Sequence, residues 1–183
     1  MEILYYIVML LVFGSVTFWQ ASCLYATIIG SPIVYSYKGA VIDSLKLAGV
    51  KKGDTVVDLG CGDGRSIILA AKEFGAKGIG VDRSFYCYFK SNLNALLAGQ
   101  SKNVRIIWGS FDKAEKVLKT ADVVYLYLLN STLKDIEPWI FKTIGDKTKI
   151  VSLAFWFPNK KPIAEADTFT LGKVTKTRLY KKN

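Results

Sequence analysis

The residues best suited to chemistry lie between Val56 and Arg65. The run VVDLGCGDGR has glycines at 60, 62 and 64 and carboxylates at Asp58 and Asp63. A glycine turn after a strand lets backbone approach a ligand closely, and many such turns cradle a phosphate at a helix N-terminus. The charge here has the wrong sign for that. Two like charges ~4 Å apart repel by about 4 kcal/mol at an effective dielectric of about 20. Beside the ammonium of an amino-acid moiety, the same carboxylate attracts. The spacing is G-x-G-x-G rather than the dinucleotide G-x-G-x-x-G, with Arg65 standing where the third dinucleotide glycine would be. The loop therefore suits a zwitterionic, phosphate-free ligand, S-adenosylmethionine.

A second acid, Asp82, falls 18 residues after Gly64 at the end of the next apolar run. There it can accept hydrogen bonds from both ribose hydroxyls. Ser110 and Phe111, after the following run, are placed to flank an adenine by hydrogen bond and by stacking. The expected cofactor set is Asp58, Gly60, Cys61, Gly62, Gly64, Asp82, Arg83, Ser110 and Phe111. Each acid also has a structural use: Asp58 can cap the loop, and Asp82 can cap the helix that follows.

Elements that would hold these residues alternate along the chain. A helix is expected from Lys38 to Gly49, with Val41, Ile42, Leu45 and Leu47 inward, then a buried strand DTVVDLG and a helix from Gly64 to Phe74. KGIGVD reads as a second strand, and SFYCYFKSNLNALLAG as a helix opened by Ser84 and closed by Gly99. NVRIIWG, ADVVYLYLL and KTKIVSLAFWF read as three more strands. They are separated by a short helix DKAEKVLK and a helix from about Ser131 to Ile144. The last segment reads as two strands turning at Leu171-Gly172. Strands alternating with helices imply parallel βαβ units. The expected fold is α/β, a Rossmann-like doubly wound sheet with a C-terminal antiparallel hairpin, preceded by one N-terminal transmembrane helix.

That helix is expected from the uncharged run Ile3 to Ile29, since about 20 apolar residues cross ~30 Å of hydrocarbon. A secretory signal fits less well: no Lys or Arg precedes the run, and Gln20 spoils the lipoprotein-like Ala21-Ser22-Cys23. The expected organisation is an anchor over residues 1–30 and a domain over 31–183. Lys38, Lys46, Lys51 and Lys52 follow the anchor, which places the domain on the cytoplasmic side. The net charge of +10 suits anionic headgroups, and neither nucleic acid nor a metal is expected as a partner. The chain has no histidine, which excludes histidine bases, triads and metal ligands, and its three cysteines form no spaced pair.

DTVVDLGCGDGRSIILAAKEFGAKGIGVD resembles the first two motifs of class I methyltransferases. SPIVYS, DVVYLYLL, LKDIEPWI and FWFP narrow the resemblance to the compact protein-lysine methyltransferases of archaea and their membrane-anchored mitochondrial relatives. Those relatives act on a rotor subunit of ATP synthase and on the adenine nucleotide translocase. The resemblance runs from Gly30 to about Pro158. The sequence departs from that family at Ser110, where an acid commonly faces the adenine amine, and at Asn130, where proline or threonine is expected.

Methyl transfer needs a neutral nucleophile in line with the donor and sheltered from water. A lysine amine, with a reference pKa near 10.4, is brought toward neutrality by desolvation and by a neighbouring cation. Aromatic walls hold it through cation–π contact. Tyr127, Leu128 and Asn130 at the end of the fourth strand, and Phe155, Trp156 and Phe157 after the fifth, are the candidate walls, with Tyr35 and Ser36 able to close over them. The same aromatics would serve equally as core. The resemblance implies substrate orientation by Tyr127, and Tyr127 and Asn130 are the catalytic candidates. No Asn-Pro-Pro-Tyr acceptor signature for planar amides is present. The expected function is lysine methylation of a membrane protein. A lipid or small-molecule amine as acceptor, and a non-catalytic S-adenosylmethionine-binding assembly factor, are the alternatives.

Overall fold

The computed structural model describes residues 1–28, 36–170 and 172–182. The chain divides into two compact units, Met1–Ile33 and Val34–Asn183. Tyr35 and the turn residue Leu171 lie outside the described residues. The described residues of the first unit form one helix, α1 (Glu2–Ile28). Its segment Glu2–Ala21 is long and apolar enough to cross a membrane by length and composition.

The second unit runs α2 (Lys38–Ala48), β1 (Thr55–Leu59), α3 (Arg65–Phe74), β2 (Lys77–Asp82), α4 (Phe85–Leu97) and β3 (Val104–Trp108). A 3₁₀ turn (Phe111–Ala114) and the short α5 (Glu115–Leu118) lead to β4 (Val123–Leu126), α6 (Asn130–Thr143), β5 (Lys149–Leu153), β6 (Ala164–Thr170) and β7 (Lys173–Lys181). The strands form one sheet in the order β3-β2-β1-β4-β5-β7-β6. The first five are parallel, and β7 inserts antiparallel between β5 and β6. Chain direction reverses its lateral progress between β1 and β4, so a crevice opens beyond their carboxyl ends.

Alternation along the strands splits the core. Val57, Leu59, Val124 and Leu126 pack with Leu133, Ile140 and Phe141 of α6 on one face. Val56, Val123, Tyr125 and Val151 pack with α2 and α3 on the other. On α2 the fully buried positions include Ala40, Ser44 and Ala48 as well as Val41 and Leu45, whereas Ile42 and Leu47 are half-buried. Small residues let this helix sit close on the sheet.

Two strands end sooner than their apolar runs. β4 stops at Leu126, so Tyr127, Leu128 and Leu129 form the crossing to α6, whose first residue is Asn130. β5 stops at Leu153, and Ala154 takes a positive φ of 67°, with Phe155 N–H bonded to Leu153 O at 2.8 Å. Strand length follows ladder partners, and the last parallel pairing here is Leu126 with Ser152. Apolar character alone cannot mark that point.

β2 carries a constraint of its own. Gly78 and Gly80 present the same face to α3, and a Cβ on Gly80 would lie 2.6 Å from Cys61 Sγ and 2.9 Å from Ile67 Cδ1. Gly80→Ala is therefore expected to cost about 1–3 kcal/mol. The loss should be partly recovered by adding Cys61→Ala, and equilibrium unfolding of the two variants checks both.

Candidate cofactor and acceptor site

The loop from Gly60 to Gly64 leaves β1 and feeds α3. Gly60, Gly62 and Gly64 all have positive φ (84°, 54° and 79°), a conformation that side-chain-bearing residues rarely adopt. Two tight contacts disfavour a side chain besides. A Cβ on Gly60 would approach Leu128 Cδ2 to 3.1 Å, and one on Gly64 would approach Ser91 Cβ to 3.0 Å. Gly60 and Cys61 donate their N–H groups to Val81 O at 2.8 and 3.2 Å, which docks the loop on the end of β2. The Cys61 side chain is buried against Gly80, and burial pushes its thiol well above the ordinary range. Cys61 thus faces the ligand crevice, if at all, only with its backbone.

Asp82 ends β2 and reaches over this loop. Its Oδ2 accepts Gly62 N–H at 2.9 Å and its Oδ1 accepts Ser84 N–H at 2.8 Å. Burial raises its pKa, and the two backbone donors pull it back. Each oxygen keeps lone-pair capacity for a ribose hydroxyl. Asp82 is not the cap of α4: it takes the N–H of Ser84, and Ser84 caps the helix by accepting Cys87 N–H at 3.3 Å.

Asp58 is 4% exposed, opposite Tyr125 in the β1–β4 register, and accepts a hydrogen bond from Ser66 Oγ. Desolvation lifts its pKa to about 7; the Ser66 bond opposes this, and the charges of Asp82 and Asp63 add to it. Asp63 turns the other way. Its carboxylate meets Arg65 Nη2 at 3.0 Å and Arg65 N–H at 3.2 Å, and Arg65 Nη1 donates to Ser36 O. Asn94 Nδ2 of α4 holds Asp63 O at 2.9 Å.

Beyond β3, Phe111 opens the 3₁₀ turn with the Arg83 guanidinium 6.0 Å from its ring centroid. Trp108 Nε1 donates to Arg83 O at 2.9 Å. Ser110 Oγ donates to Asp112 Oδ1, and that bond holds the exposed Asp112 carboxyl below the usual carboxylate range. An acid thus stands two residues after Ser110, bonded to its hydroxyl.

On the acceptor side, Tyr127 is half-buried and its ring lies 5.8 Å from that of Phe155. Asn130 Oδ1 accepts Trp156 N–H at 3.1 Å, tying the β4–α6 crossing to the segment after β5. Leu128 packs over Gly60. Phe157 belongs elsewhere: it is buried between Phe141 and Tyr180, at 5.0 and 5.2 Å, and is a core residue. Sequence reasoning missed Ser66, Asn94 and Gly80. Only Gly80 had a legible signal, the alternate glycines of KGIGVD on one strand face.

A doubly wound sheet whose first loop is a bare glycine turn, flanked by a buried acid on β1 and an acid ending β2 that ties the loop down, defines a class I S-adenosylmethionine-dependent methyltransferase. A buried carboxylate whose charge is unfavourable until a cation arrives suits that cofactor's ammonium. The chain belongs to the family described as the ANTKMT methyltransferase domain, whose model matches residues 58–164. It is 32% identical to a protein-lysine N-methyltransferase of Saccharolobus islandicus over 134 residues, 70% of this chain and 82% of that protein. It is also similar to a solved RNA methyltransferase from Salinibacter ruber in complex with S-adenosyl-L-homocysteine, with TM-score 0.74, 32% identity, and coverage of 81% of this chain and 93% of that one. A S-adenosylmethionine-dependent methyltransferase from Geobacter sulfurreducens, also solved with S-adenosyl-L-homocysteine, shares the fold at TM-score 0.53 and 19% identity, with coverage of 62% and 47%.

The raised pKa of Asp58 makes the site pH-sensitive. The native chain keeps a proton on Asp58 between pH 3.8 and about 7 that the unfolded chain has released. Its contribution to stability is therefore lost as pH rises through about 7. Asp58→Asn is expected to stabilise the free enzyme above pH 7 relative to wild type. A cationic cofactor favours the charged carboxylate, so binding at about pH 6 should release close to one proton, read by calorimetry in buffers of different ionisation enthalpy. In Asp58→Asn that release should vanish and affinity should fall about 10–100-fold. Proton uptake by wild type would be incompatible with the assignment.

Proposed function

We propose that the enzyme methylates lysine side chains of a membrane protein, with α1 spanning the bilayer and the methyltransferase unit on its cytoplasmic side. The observation carrying the lysine reading is the aromatic pair at the carboxyl ends of β4 and β5, Tyr127 and Phe155, whose ring centroids lie 5.8 Å apart. The name of the Saccharolobus relative agrees with it. Lys38, Lys46, Lys51 and Lys52 after α1 support the orientation.

When bound, S-adenosylmethionine supplies a methyl group on a positively charged sulfur, which is displaced in line by an amine lone pair. The chain's residues then have separable tasks. Asp82 would hold the ribose diol and Asp58 the ammonium, with Gly60, Gly62 and Gly64 keeping the backbone close. Arg83, Ser110 and Phe111 would line the adenine. Tyr127 and Phe155 offer aromatic faces to the amine and, after transfer, to its methylated cation. Burial raises the Tyr127 hydroxyl pKa, so it stays a protonated donor through the neutral range. Asn130 would hold the β4–α6 crossing against the segment that carries Phe155 through its bond to Trp156 N–H. With no histidine in the chain, lowering of the lysine pKa rests on desolvation and the neighbouring sulfonium rather than on an imidazole base.

The name of the Salinibacter relative and the net charge of +10 favour RNA as a second acceptor reading. One experiment separates the two. Native membranes and total RNA are incubated with the enzyme and methyl-labelled cofactor, with Asp82→Ala as the inactive control. Label in protease-sensitive material, released on hydrolysis as methyl-lysine, is the expected outcome. Ribonuclease-sensitive or lipid-extractable label would replace this reading. On the acceptor found, Tyr127→Phe is expected to lower kcat/KM by about tenfold, and Tyr127→Ala by about 100-fold or more with cofactor affinity unchanged.

A further inference from the structure

The bulk on α4 is on the outside. Its inward residues Cys87, Ser91 and Ala95 are small and 3% exposed or less, whereas Phe85, Phe89, Leu93, Leu96 and Leu97 point outward at 43–76% exposure. Trp108, at the outer edge strand β3, is 56% exposed and meets the Phe85 ring edge-on at 5.4 Å, so the apolar stripe continues onto the sheet edge. A contiguous apolar surface of this kind on a folded domain marks a contact site. Charge says with what. α4 carries no Asp or Glu, and Arg83, Lys90, Lys102 and Arg105 make the stretch around it predominantly basic, with Asp112, exposed and close enough to feel Arg83, following at its end. Large apolar groups with mostly basic neighbours match the boundary between acyl chains and anionic headgroups.

We infer that the outer face of α4, with Trp108, is a second membrane contact that lies in the surface of an anionic bilayer. The inference rests on the reading that α1 spans a membrane. The tether keeps that surface at high local concentration, so each contact need only be weak. Phe89 and Leu93, one turn apart at the middle of the stripe, enter the acyl boundary. Lys90 and Lys102 meet the headgroups.

The full-length chain is reconstituted into vesicles of zwitterionic phosphatidylcholine, with or without anionic phosphatidylglycerol. Cys23 is replaced by serine, and Cys61 and Cys87 are buried. A nitroxide is attached at Leu93→Cys, or at Lys134→Cys, an exposed position of α6, or at Phe13→Cys within α1. Access to oxygen, which concentrates in lipid, is compared with access to a water-soluble nickel chelate. The label at position 93 is expected to shift toward the oxygen-rich, nickel-poor pattern in anionic vesicles and to relax toward the aqueous pattern of position 134 in zwitterionic ones. Lys90→Gln and Lys102→Gln should each weaken the docked state roughly fivefold. A fully aqueous label at 93 in anionic vesicles overturns the inference. So does protection from both reagents, which denotes cover by protein; dependence on protein-to-lipid ratio would then identify a second copy. The label at position 13 reports separately on α1, so failure of the anchor is distinguishable from failure of the docking face.

Discussion

The hydrogen bond from Gly62 N–H to Asp82 is the contact on which the rest of the site depends. Asp82 is the last residue of β2, and parallel pairing with Trp108 of β3 fixes its backbone. Its side chain takes Gly62 N–H from the loop after β1 and Ser84 N–H from the start of α4, while its own carbonyl accepts Gly109 N–H after β3 at 2.8 Å. One residue thus ties three successive loops at the carboxyl edge of the sheet. Hydrogen bonds to a charged acceptor contribute about 1.5–3 kcal/mol each. Their larger effect is geometric, because a glycine turn with three positive φ angles has little stiffness of its own. Held to Asp82, it becomes a rigid backbone surface on which a cofactor can rest without reorganisation.

Asp58 shows the complementary principle. It sits where the sheet reverses direction, buried, with Ser66 as hydrogen-bond donor and two further carboxylates nearby. A site designed only for stability would place a neutral residue there. Holding a carboxylate in that position makes the free enzyme less stable at high pH and gives a cationic ligand a reason to bind. The opposing charge of Arg65 is directed to Asp63 and Ser36 O, away from Asp58. The two acids thus differ: Asp63 on the loop is paired with Arg65, whereas Asp58 on β1 has Ser66 as its donor.

These features were unequally legible in the sequence. β2 was read to the residue, because Lys77–Asp82 is bounded by turn chemistry on both sides and its glycines fall on one face. The terminal hairpin was legible for a similar reason, a short connection that admits no helix. The carboxyl ends of β4 and β5 were not, since Tyr127–Leu129 and Phe155–Phe157 have the composition of strand interior. What ends those strands is the loss of a neighbour, together with the left-handed Ala154, and neither is written locally. The consequence reaches individual side chains: once the strand stops, alternation no longer phases Phe155, Trp156 and Phe157. The first is half-buried facing Tyr127, the second exposed, the third fully in the core. Ser66 and Asn94 were invisible for a different reason. Their partners, Asp58 and the carbonyl of Asp63, come within reach only when α3 and α4 pack.

The packing of α4 connects this site to the surface behind it. Gly64 and Ser91 leave no space between the loop and the helix, and Asn94 holds the loop backbone from the same helix face. Closeness of that order demands small residues on the inner side, which Cys87, Ser91 and Ala95 provide. The inner face can then contribute little apolar burial at roughly 25 cal/mol per Å². A helix in that position needs no large apolar residues at all, and polar ones on the outside would keep the domain soluble at no cost to its packing. That Phe85, Phe89, Leu93, Leu96 and Leu97 occupy the outer face is therefore not a by-product of the fold. The loop geometry accounts for what is small on the inside; what is large on the outside answers to a contact beyond the domain's own core.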